Sequence, residues 1–396
     1  MTTQDGTGDE GSVTERLQSS RRRFLAMSGI AATGAVAGCL GGGEDEPGEA
    51  IMNDFSLGSF QGSGPFVDAR SPPGGTSISD LPNMAGTLGV ALGGGEGGLY
   101  IELFERLEEI YPNLNIEHVV RSSTNHANTI RNEAEAGKIQ QDLFLSVDAG
   151  SLGVVADAGA TQQLPEDAIG EVPTAFRESN RNWVGVAGRA RAVPYNTERL
   201  SADDVPGTVA DFPETDAFEG SMGWAPSYGA FQSFVTAMRL LRGDEETVQW
   251  LEDMQSIGVT SYDNEFQISQ AVADGELTAG FANHYYALRV QAQSDDPPIG
   301  LTFTRGDAGA LVNVTGAAIL DGSDATDLAT TFVRHLLSAE AQEFFATRTY
   351  AYPMIPDVQP VGNLPTIDEL DTPDIDLTEL SDRGGTLDVL RDADVL

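Results

Sequence analysis

Residues 87–146 alternate apolar strand segments with helical segments, and this alternation constrains the fold more than any other feature. Strand candidates lie at 87–92, 114–120 and 142–146. After the first of them, a glycine-rich turn leads into leucines and aromatic residues that recur at helical spacing over residues 99–111. Strands that alternate with helices in this way predict a parallel sheet that is covered on both faces.

The second half of the sequence repeats this alternation. Strands are predicted at 277–281 and 310–320, and helices at 231–241, 245–254, 266–273, from a cap at Ser323 to about 337, and at 339–347 after a cap at Ser338. The roughly 310 residues beyond residue 83 suffice for two domains. Beyond Pro353 the acidic chain is expected to wrap the surface before a short C-terminal helix. We therefore expect an α/β protein with two lobes.

Residues 1–38 have the layout of an export signal. The paired arginines Arg21 and Arg22 precede a short, weakly apolar segment that ends in small residues. Paired arginines before such a segment are typical of the twin-arginine route, which exports folded proteins. The apolar segment is too short and too rich in Gly, Ala and Ser to span a bilayer.

Cys39 follows this signal and is the only cysteine in the sequence, so no intramolecular disulfide can form. Its position matches the residue that a lipoprotein signal leaves for acylation, although an incidental cysteine beside an ordinary cleavage site is the alternative. Residues 39–83 are rich in Gly, Ser, Pro and acidic residues and predict a flexible tether. We expect a lipid-anchored protein on the outer face of the cytoplasmic membrane.

The charge of the chain excludes one class of partner. Lysine and arginine number 22 against 61 acidic residues, so the net charge is −39. Acidic residues occur along the whole chain, as in haloarchaeal proteins, whose self-repulsion is screened by strong salt. No basic stripe is present that could release counterions from nucleic acid, so nucleic acid is not expected to bind.

Tyr285 and Tyr286 stand side by side where the apolar segment 277–281 opens onto a predicted helix. Adjacent phenols at such a boundary can reach one bound ion. A phenol becomes a good ligand only when it loses its proton, which has a pKa near 10 in the unperturbed group. The pair therefore suits a small, highly charged cation such as ferric iron. The alternative is that both side chains pack in the core, as buried tyrosines commonly do.

Several motifs, taken together and in chain order, resemble the ferric-ion-binding proteins that serve iron(III) uptake transporters of the ATP-binding-cassette type. They lie at 142–144, 148–152, 188–197, 224–232, 283–286, 312–318, 341–343 and 352–353. The resemblance covers roughly residues 85–360. It implies a two-lobed, type II periplasmic-binding-protein fold with a ligand cleft between hinged lobes. Lobe 1 would comprise residues 84–190 and 308–346, and lobe 2 residues 191–307 and 347–396.

The resemblance also implies a ligand set for the metal. Tyr285 and Tyr286 correspond to the paired ligands of the family, and Tyr228 to a third tyrosine used by one subclass. Three phenolates would balance the charge of Fe³⁺, and their hard oxygen atoms match a hard ion. Other members use an early histidine or a glutamate that has no clear counterpart here. Glu96 is interpreted as an exposed turn residue and His284 as a residue whose side chain points away from the metal, and ligation of the metal is the alternative for each.

An anion often completes the metal site in this family. Arg189 and Arg191 match its Arg-Ala-Arg segment, and a guanidinium suits carbonate or a similar oxyanion. Ser227 could donate a further hydrogen bond to that anion. The alternative for either arginine is a surface ion pair. The expected partners of this monomeric protein are Fe³⁺, a transporter permease and, through its lipid, the membrane.

Two other functions remain open at this point. The same fold could bind thiamine, a polyamine or an oxyanion, because aromatic side chains also stack on organic cations. A surface-anchored hydrolase is a different class of function. The sequence lacks a Gly-x-Ser-x-Gly elbow, a His-Glu-x-x-His helix and a phosphate-binding Gly-x-x-x-x-Gly-Lys loop, so we do not expect an enzyme.

Overall fold

The structure is a computed structural model that describes residues 55–68, 70–94 and 98–396. The predicted export signal with Arg21 and Arg22, the predicted lipidation site Cys39 and the turn residue Glu96 lie outside the described residues. Within the part of the chain that is described, no helix combines the length and the apolar character needed to cross a bilayer.

One mixed sheet runs through the described residues. Its strands are β1 (Gly86–Gly93), β2 (Leu114–Arg121), β3 (Leu143–Ser146), β4 (Val184–Asn196), β5 (Met222–Trp224), β6 (Thr260–Ser261), β7 (Ala279–Gly280), β8 (Ala282–Asn283), β9 (Ile299–Thr302), β10 (Val312–Ile319) and β11 (Tyr352–Pro353). The strand order is β2-β1-β3-β10-β4-β7-β5-β6, and β8, β9 and β11 also pair with β4.

Helices accompany this sheet along the chain. The α-helices are α1 (Tyr100–Ile110), α2 (Ser123–Glu135), α3 (Ala149–Asp157), α4 (Glu166–Ile169), α5 (Gly229–Arg242), α6 (Asp244–Ser256), α7 (Glu265–Ala273), α8 (His284–Gln293), α9 (Thr326–Leu336), α10 (Ala339–Phe344) and α11 (Arg383–Asp392). A π-helical turn, Phe345–Thr349, continues α10. Short 3-10 turns include Leu57–Ser59, Ile78–Asp80 and Leu377–Ser381.

The first three strands confirm the predicted alternation, because β1 pairs in parallel with both β2 and β3. The sheet as a whole is mixed rather than parallel, since β10 runs antiparallel to β3 and to β4. Helix α1 confirms the helical spacing, with Leu103, Phe104 and Leu107 buried. Of the strand expected at 277–281, only Ala279–Gly280 forms a strand, β7, and the short strand β8 follows it.

The two predicted caps differ in outcome. Ser338 caps α10 as expected, since its Oγ accepts a hydrogen bond from Ala341 N at 3.3 Å. The cap at Ser323 is wrong, because α9 begins at Thr326 after Ala325. Ser323 Oγ instead donates to Asp142 Oδ1 at 2.7 Å, which ties the loop before α9 to the start of β3.

Strand β4 connects the two halves of the sheet. Its segment from Val184 to Ala190 pairs with β10, whereas the segment from Arg191 onward pairs with β8 and β9, and Tyr195 with β7. This exchange of partners falls between residues 190 and 191, where the sequence analysis divides the lobes. Neighbouring residues of one buried strand therefore belong to different halves of the molecule.

The C-terminal segment, which the sequence analysis assigns to lobe 2, contacts both halves of the sheet. Strand β11 pairs with β4 at Ala187 and Gly188, in the part of β4 that pairs with β10 along its other edge. Helix α11 contacts the other half, because the hydroxyls of Thr386 and Thr236 lie 2.7 Å apart. Residues 347–396 thus contact both halves, a path that the proline-containing sequence did not indicate.

The second part of the predicted tether also differs from the structure. Phe60 and Ile78 are fully buried against the folded body. Arg70 Nη2 lies 2.8 Å from Glu343 Oε2, whose side chain is also fully buried. These isolated buried residues form no periodic pattern. The composition of residues 39–83 therefore predicted a flexible tether, although residues 55–68 and 70–83 pack against the folded body.

His335 is a buried titratable group in the core of the described chain. Its Nδ1 donates to Thr331 O at 2.8 Å, so its Nε2 accepts the hydrogen bond of the Tyr111 hydroxyl, also at 2.8 Å. Burial lowers the pKa of His335 to about 4 and raises the pKa of Tyr111 to about 12. Both groups are therefore neutral in the folded protein near pH 7.

We expect this imidazole to weaken the fold in acid. The unfolded chain binds a proton at a histidine pKa near 6.5, whereas the folded protein does so only near pH 4, so stability falls as the pH drops through this window. The complete loss is about 3 kcal/mol. Urea unfolding at neutral pH and near pH 4 measures it. His335→Asn should reduce the acid-dependent loss, and His118→Asn, at an exposed site, should not. Equal losses in wild type and His335→Asn would contradict the expectation.

Candidate metal centre

The structure brings together the three tyrosines predicted as ligands. The hydroxyls of Tyr228 and Tyr286 are in hydrogen-bond contact. The ring centroids of Tyr285 and Tyr286 lie 4.4 Å apart, and those of Tyr228 and Tyr286 lie 6.3 Å apart. Tyr285 and Tyr286 are 2% and 7% exposed, and Tyr228 is half-buried. Three phenol groups therefore converge from two separate parts of the chain.

Two helix N-termini position these phenols. Tyr228 is the N-cap residue of α5, and Tyr285 and Tyr286 occupy the first turn of α8. Each helix begins shortly after a strand of the same half of the sheet, β5 and β8 respectively. Because backbone N–H groups and the helix dipole favour negative charge at an N-terminus, both helices favour a negatively charged group at this point.

A buried network fixes the start of α8. Asn283 Nδ2 donates to the Tyr285 hydroxyl at 3.1 Å, and Glu265 Oε2 accepts from Asn283 N at 2.8 Å. The other oxygen of Glu265 pairs with Arg191 Nη1. The Glu265 side chain is fully buried and that of Arg191 is 3% exposed. Arg191 is therefore in a buried ion pair and not in the surface pair considered as its alternative.

Arg289 was not predicted but contacts the site. Its guanidinium carbon lies 4.9 Å from the ring centroid of Tyr285 and 5.5 Å from that of Tyr286. A guanidinium over an aromatic ring contributes about 0.5–2 kcal/mol, depending on how far it is desolvated. The sequence held a signal for this contact, because residues three and four positions apart on a helix share a face.

A cavity of about 550 Å³ opens beside Tyr228 and Tyr285. It is bordered by the N-terminal ends of the five helices α2, α3, α5, α8 and α11. Its lining includes Gly94, Ser122, Ser123, Thr124, Asp148, Arg189, Arg191, Gly229, Asn283, Asn313, Leu380 and Arg383. Three arginines and one aspartate are the charged residues in this lining. A chain with a net charge of −39 thus presents a positively charged cavity.

The predicted anion-binding residues have different positions. Arg189 and Arg191 both line the cavity, and Arg189 Nη2 also donates to Val147 O. The Nη2 atom of Arg191 is buried and has no hydrogen-bond partner in the structure. Ser227 is exposed and does not line the cavity, since the extended backbone at Tyr228 turns adjacent side chains in different directions. Ser123 and its neighbours in α2, which the sequence analysis missed, provide hydroxyls there instead.

His284 is tied to the backbone rather than to the phenols. Its Nε2 lies 2.7 Å from Tyr350 O, and its Nδ1 lies 3.3 Å from Ala190 O. Burial lowers the pKa of His284 to about 4, so the ring is neutral near pH 7. Asp148 is also engaged, since its Oδ1 accepts from Ser151 N at 2.7 Å and caps α3. Among the described residues, no group of three or more His, Cys, Asp and Glu side chains could hold a metal.

Comparison with known proteins places this chain in a family. Residues 102–370 match the family model described as bacterial extracellular solute-binding protein. The chain belongs to this family. This solute-binding protein is 31% identical over 271 residues to the major ferric iron-binding protein of Neisseria meningitidis serogroup B, a match that covers 65% of the chain and 80% of the relative. It is 26% identical over 247 residues to the Fe(3+)-binding periplasmic protein of Serratia marcescens, covering 61% and 72% respectively.

A solved structure extends the comparison. Iron-bound HitA from Pseudomonas aeruginosa has a TM-score of 0.66 and 26% identity, and the match covers 78% of this chain and 99% of that chain. The predicted α/β, two-lobed, type II binding-protein fold is confirmed, as is the resemblance to ferric-ion-binding proteins. The relatives of this solute-binding protein are transport proteins and not enzymes, so the hydrolase alternative is wrong.

Proposed function

We propose that this solute-binding protein captures ferric iron outside the cytoplasm and delivers it to a permease of the ATP-binding-cassette type. The phenolate oxygens of Tyr228, Tyr285 and Tyr286 are the proposed metal ligands. The observation that carries the proposal is the convergence of these three phenols, two of which, Tyr228 and Tyr285, line one cavity. Relatives named as ferric iron-binding proteins support the choice of metal.

The charges around the phenols fit such a cargo. Three phenolates carry the charge that balances Fe³⁺, and their hard oxygen atoms match the preference of this ion. Binding must release the phenol protons, because a metal displaces protons from its ligands, so affinity is expected to fall in acid. Arg189 and Arg191 are proposed to bind a companion oxyanion such as carbonate. Ser227 has no part in this proposal because it is exposed away from the cavity.

The alternative of an organic cation finds less support. Arg289 already covers ring faces of Tyr285 and Tyr286, which a stacking cation such as thiamine would need. The arginines of the cavity would repel a polyamine as well. An oxyanion without metal remains the second candidate. Native mass spectrometry of the purified protein distinguishes an iron ion from an organic or purely anionic ligand.

The remaining features of the proposal concern location and movement. Twin-arginine export guided by Arg21 and Arg22, followed by acylation of Cys39, would hold the monomeric protein on the outer face of the cytoplasmic membrane. Residues 84–190 with 308–346 and residues 191–307 with 347–396 are the proposed lobes, although the last range contacts both. The strong acidity fits a protein that works in concentrated salt.

A visible absorption titration tests the metal. Adding ferric citrate to the iron-free protein is expected to produce a broad visible band, because phenolate donates charge to Fe³⁺. Gallium(III) has the same charge as Fe³⁺ but cannot accept charge from phenolate in this way. It should therefore compete for the site and produce no colour. Bound iron without a visible band would exclude tyrosinate ligands. Failure of both ions to bind would exclude the proposed function.

A further inference from the structure

The C-terminal segment 377–392 extends beyond the part of the chain that matches the family model, which ends at residue 370. It comprises the 3-10 turn Leu377–Ser381 and helix α11, and we call it the C-terminal strap. Two of its residues, Leu380 and Arg383, line the cavity beside Tyr228 and Tyr285. The strap therefore contributes to the binding site although it lies outside the family match.

The first part of the strap is attached to α3, in the half of the molecule that contains β1 to β3. Leu377 and Leu380 are buried. A Cβ placed on Gly150 would lie 3.0 Å from Leu380 O, and one placed on Gly153 would lie 3.0 Å from Thr378 Cβ. Only glycine at these two positions lets the 3-10 turn pack this closely on α3.

The second part of the strap is attached to the half that contains the tyrosines. Asp382, the N-cap of α11, accepts from Arg239 Nη1 of α5 at 3.0 Å. The hydroxyls of Thr386 and Thr236 lie 2.7 Å apart. Gln255 Nε2, at the end of α6, donates at 2.6 Å to the carbonyl of Ala393, the C-cap residue that directly follows the strap. The strap thus crosses from one half of the molecule to the other at the cavity.

Arg383 lies at the point of crossing. Its Nη1 donates to Thr124 Oγ1 of α2 at 3.0 Å. Its Nη2 would be 3.8 Å from a Cβ placed on Gly229, the residue that follows Tyr228. Among the described residues, Arg383 forms no ion pair, although the chain has 61 acidic residues. Its guanidinium therefore lines the cavity without a close ion-pair partner among the described residues.

A second observation also indicates an anionic ligand at this place. The Arg191 side chain is almost fully buried and lines the same cavity, yet its Nη2 has no hydrogen-bond partner. A buried charged donor without a partner is costly unless a ligand accepts its hydrogen bond. One guanidinium in β4 and another in the strap thus line one space.

We propose that Arg383 is a binding residue for the oxyanion that accompanies the metal, with Arg191 as its partner across the cavity. The ligand class is a small oxyanion with carboxylate, carbonate or phosphate oxygens, which both guanidinium groups can bind through charged hydrogen bonds. Because the strap is bound to both halves, anion binding at Arg383 stabilises their association. This inference rests on the proposed site but does not require that the metal be iron.

The test measures anion affinity of the full mature protein without metal, by calorimetric titration of inorganic phosphate and, separately, of citrate at one fixed salt concentration. Arg383→Gln is expected to lower the affinity about tenfold, the loss of one charged hydrogen bond. Arg383→Lys should recover part of it, since lysine keeps the charge but loses the fork. The matched control is Arg391→Gln in the same helix, whose side chain is 59% exposed and pairs with Asp388.

The outcomes separate the inference from the proposed function. Equal anion affinities for Arg383→Gln and Arg391→Gln would overturn the inference, even if the wild type turns coloured with iron. Absence of any anion binding by the wild type would overturn it as well. Anion binding that depends on Arg383 in a protein that fails to take up ferric iron would support the inference while excluding the proposed metal. Thermal unfolding of each variant checks that the strap remains folded.

Discussion

Tyr286→Phe is expected to lower the affinity for ferric iron by more than about 100-fold and to remove most of the visible band. The substitution keeps the ring, its packing and its contact with Arg289, and it deletes only the oxygen that touches the Tyr228 hydroxyl. Substitution of a residue that only supports a ligand already costs about 10–100-fold in metal affinity. Loss of a charged ligand itself should therefore cost more. Competition against a chelator, followed by absorbance, measures the loss.

Tyr228→Phe and Tyr285→Phe are expected to act in the same direction. The matched control is Tyr262→Phe, which removes the same oxygen from a half-buried tyrosine that does not line the cavity. Its iron affinity and colour should equal those of the wild type. If Tyr286→Phe binds iron as tightly as Tyr262→Phe, phenolate ligation at this site is excluded.

The position of the tyrosines was predictable from the sequence to different degrees. Tyr285 and Tyr286 were identified by their adjacency at the start of a helix, a local feature. Tyr228 lies far from them in the chain, and only the resemblance to a family identified it. Arg289 and Arg383 were missed for different physical reasons. Arg289 had a local signal, its helical spacing from the tyrosines, but the sequence analysis did not use it. The place of Arg383 depends on how the C-terminal strap folds back, which no local pattern encodes.

Strands and helices were predicted correctly where the spacing of apolar residues along the sequence reflects which side chains are buried. Strands β1 to β3 and helix α1 followed from apolar patterns. Strand β4, the longest of the described strands, was not identified as a strand, because nearly all its residues are buried and it contains Arg189 and Arg191, so polar and apolar residues do not alternate. The antiparallel pairing of β10 with β3 joins segments far apart in the chain, which the order of elements does not fix.

Glu265→Ala is expected to lower the free energy of unfolding by about 3–5 kcal/mol, because it leaves the buried guanidinium of Arg191 without its counter-charge. The same change removes the acceptor of Asn283 N, which starts the helix that carries Tyr285 and Tyr286. Urea unfolding of the metal-free protein measures the loss. The control is Glu109→Ala, which breaks an ion pair whose side chains are 33% and 67% exposed, and should cost less than about 1 kcal/mol.

The double variant Arg191→Met/Glu265→Leu distinguishes the effect of this ion pair on stability from the effect of Arg191 on anion binding. Replacing both members of a buried ion pair by apolar side chains is often neutral or stabilising, so much of the stability lost in Glu265→Ala should return. Its anion affinity should be lower than that of the wild type, because the Arg191 donor is gone. If the double variant is as unstable as Glu265→Ala, the instability comes from the missing acceptor for Asn283 N and not from the unpaired charge. If the double variant has both the stability and the anion affinity of the wild type, Arg191 takes no part in anion binding and only its pairing with Glu265 matters.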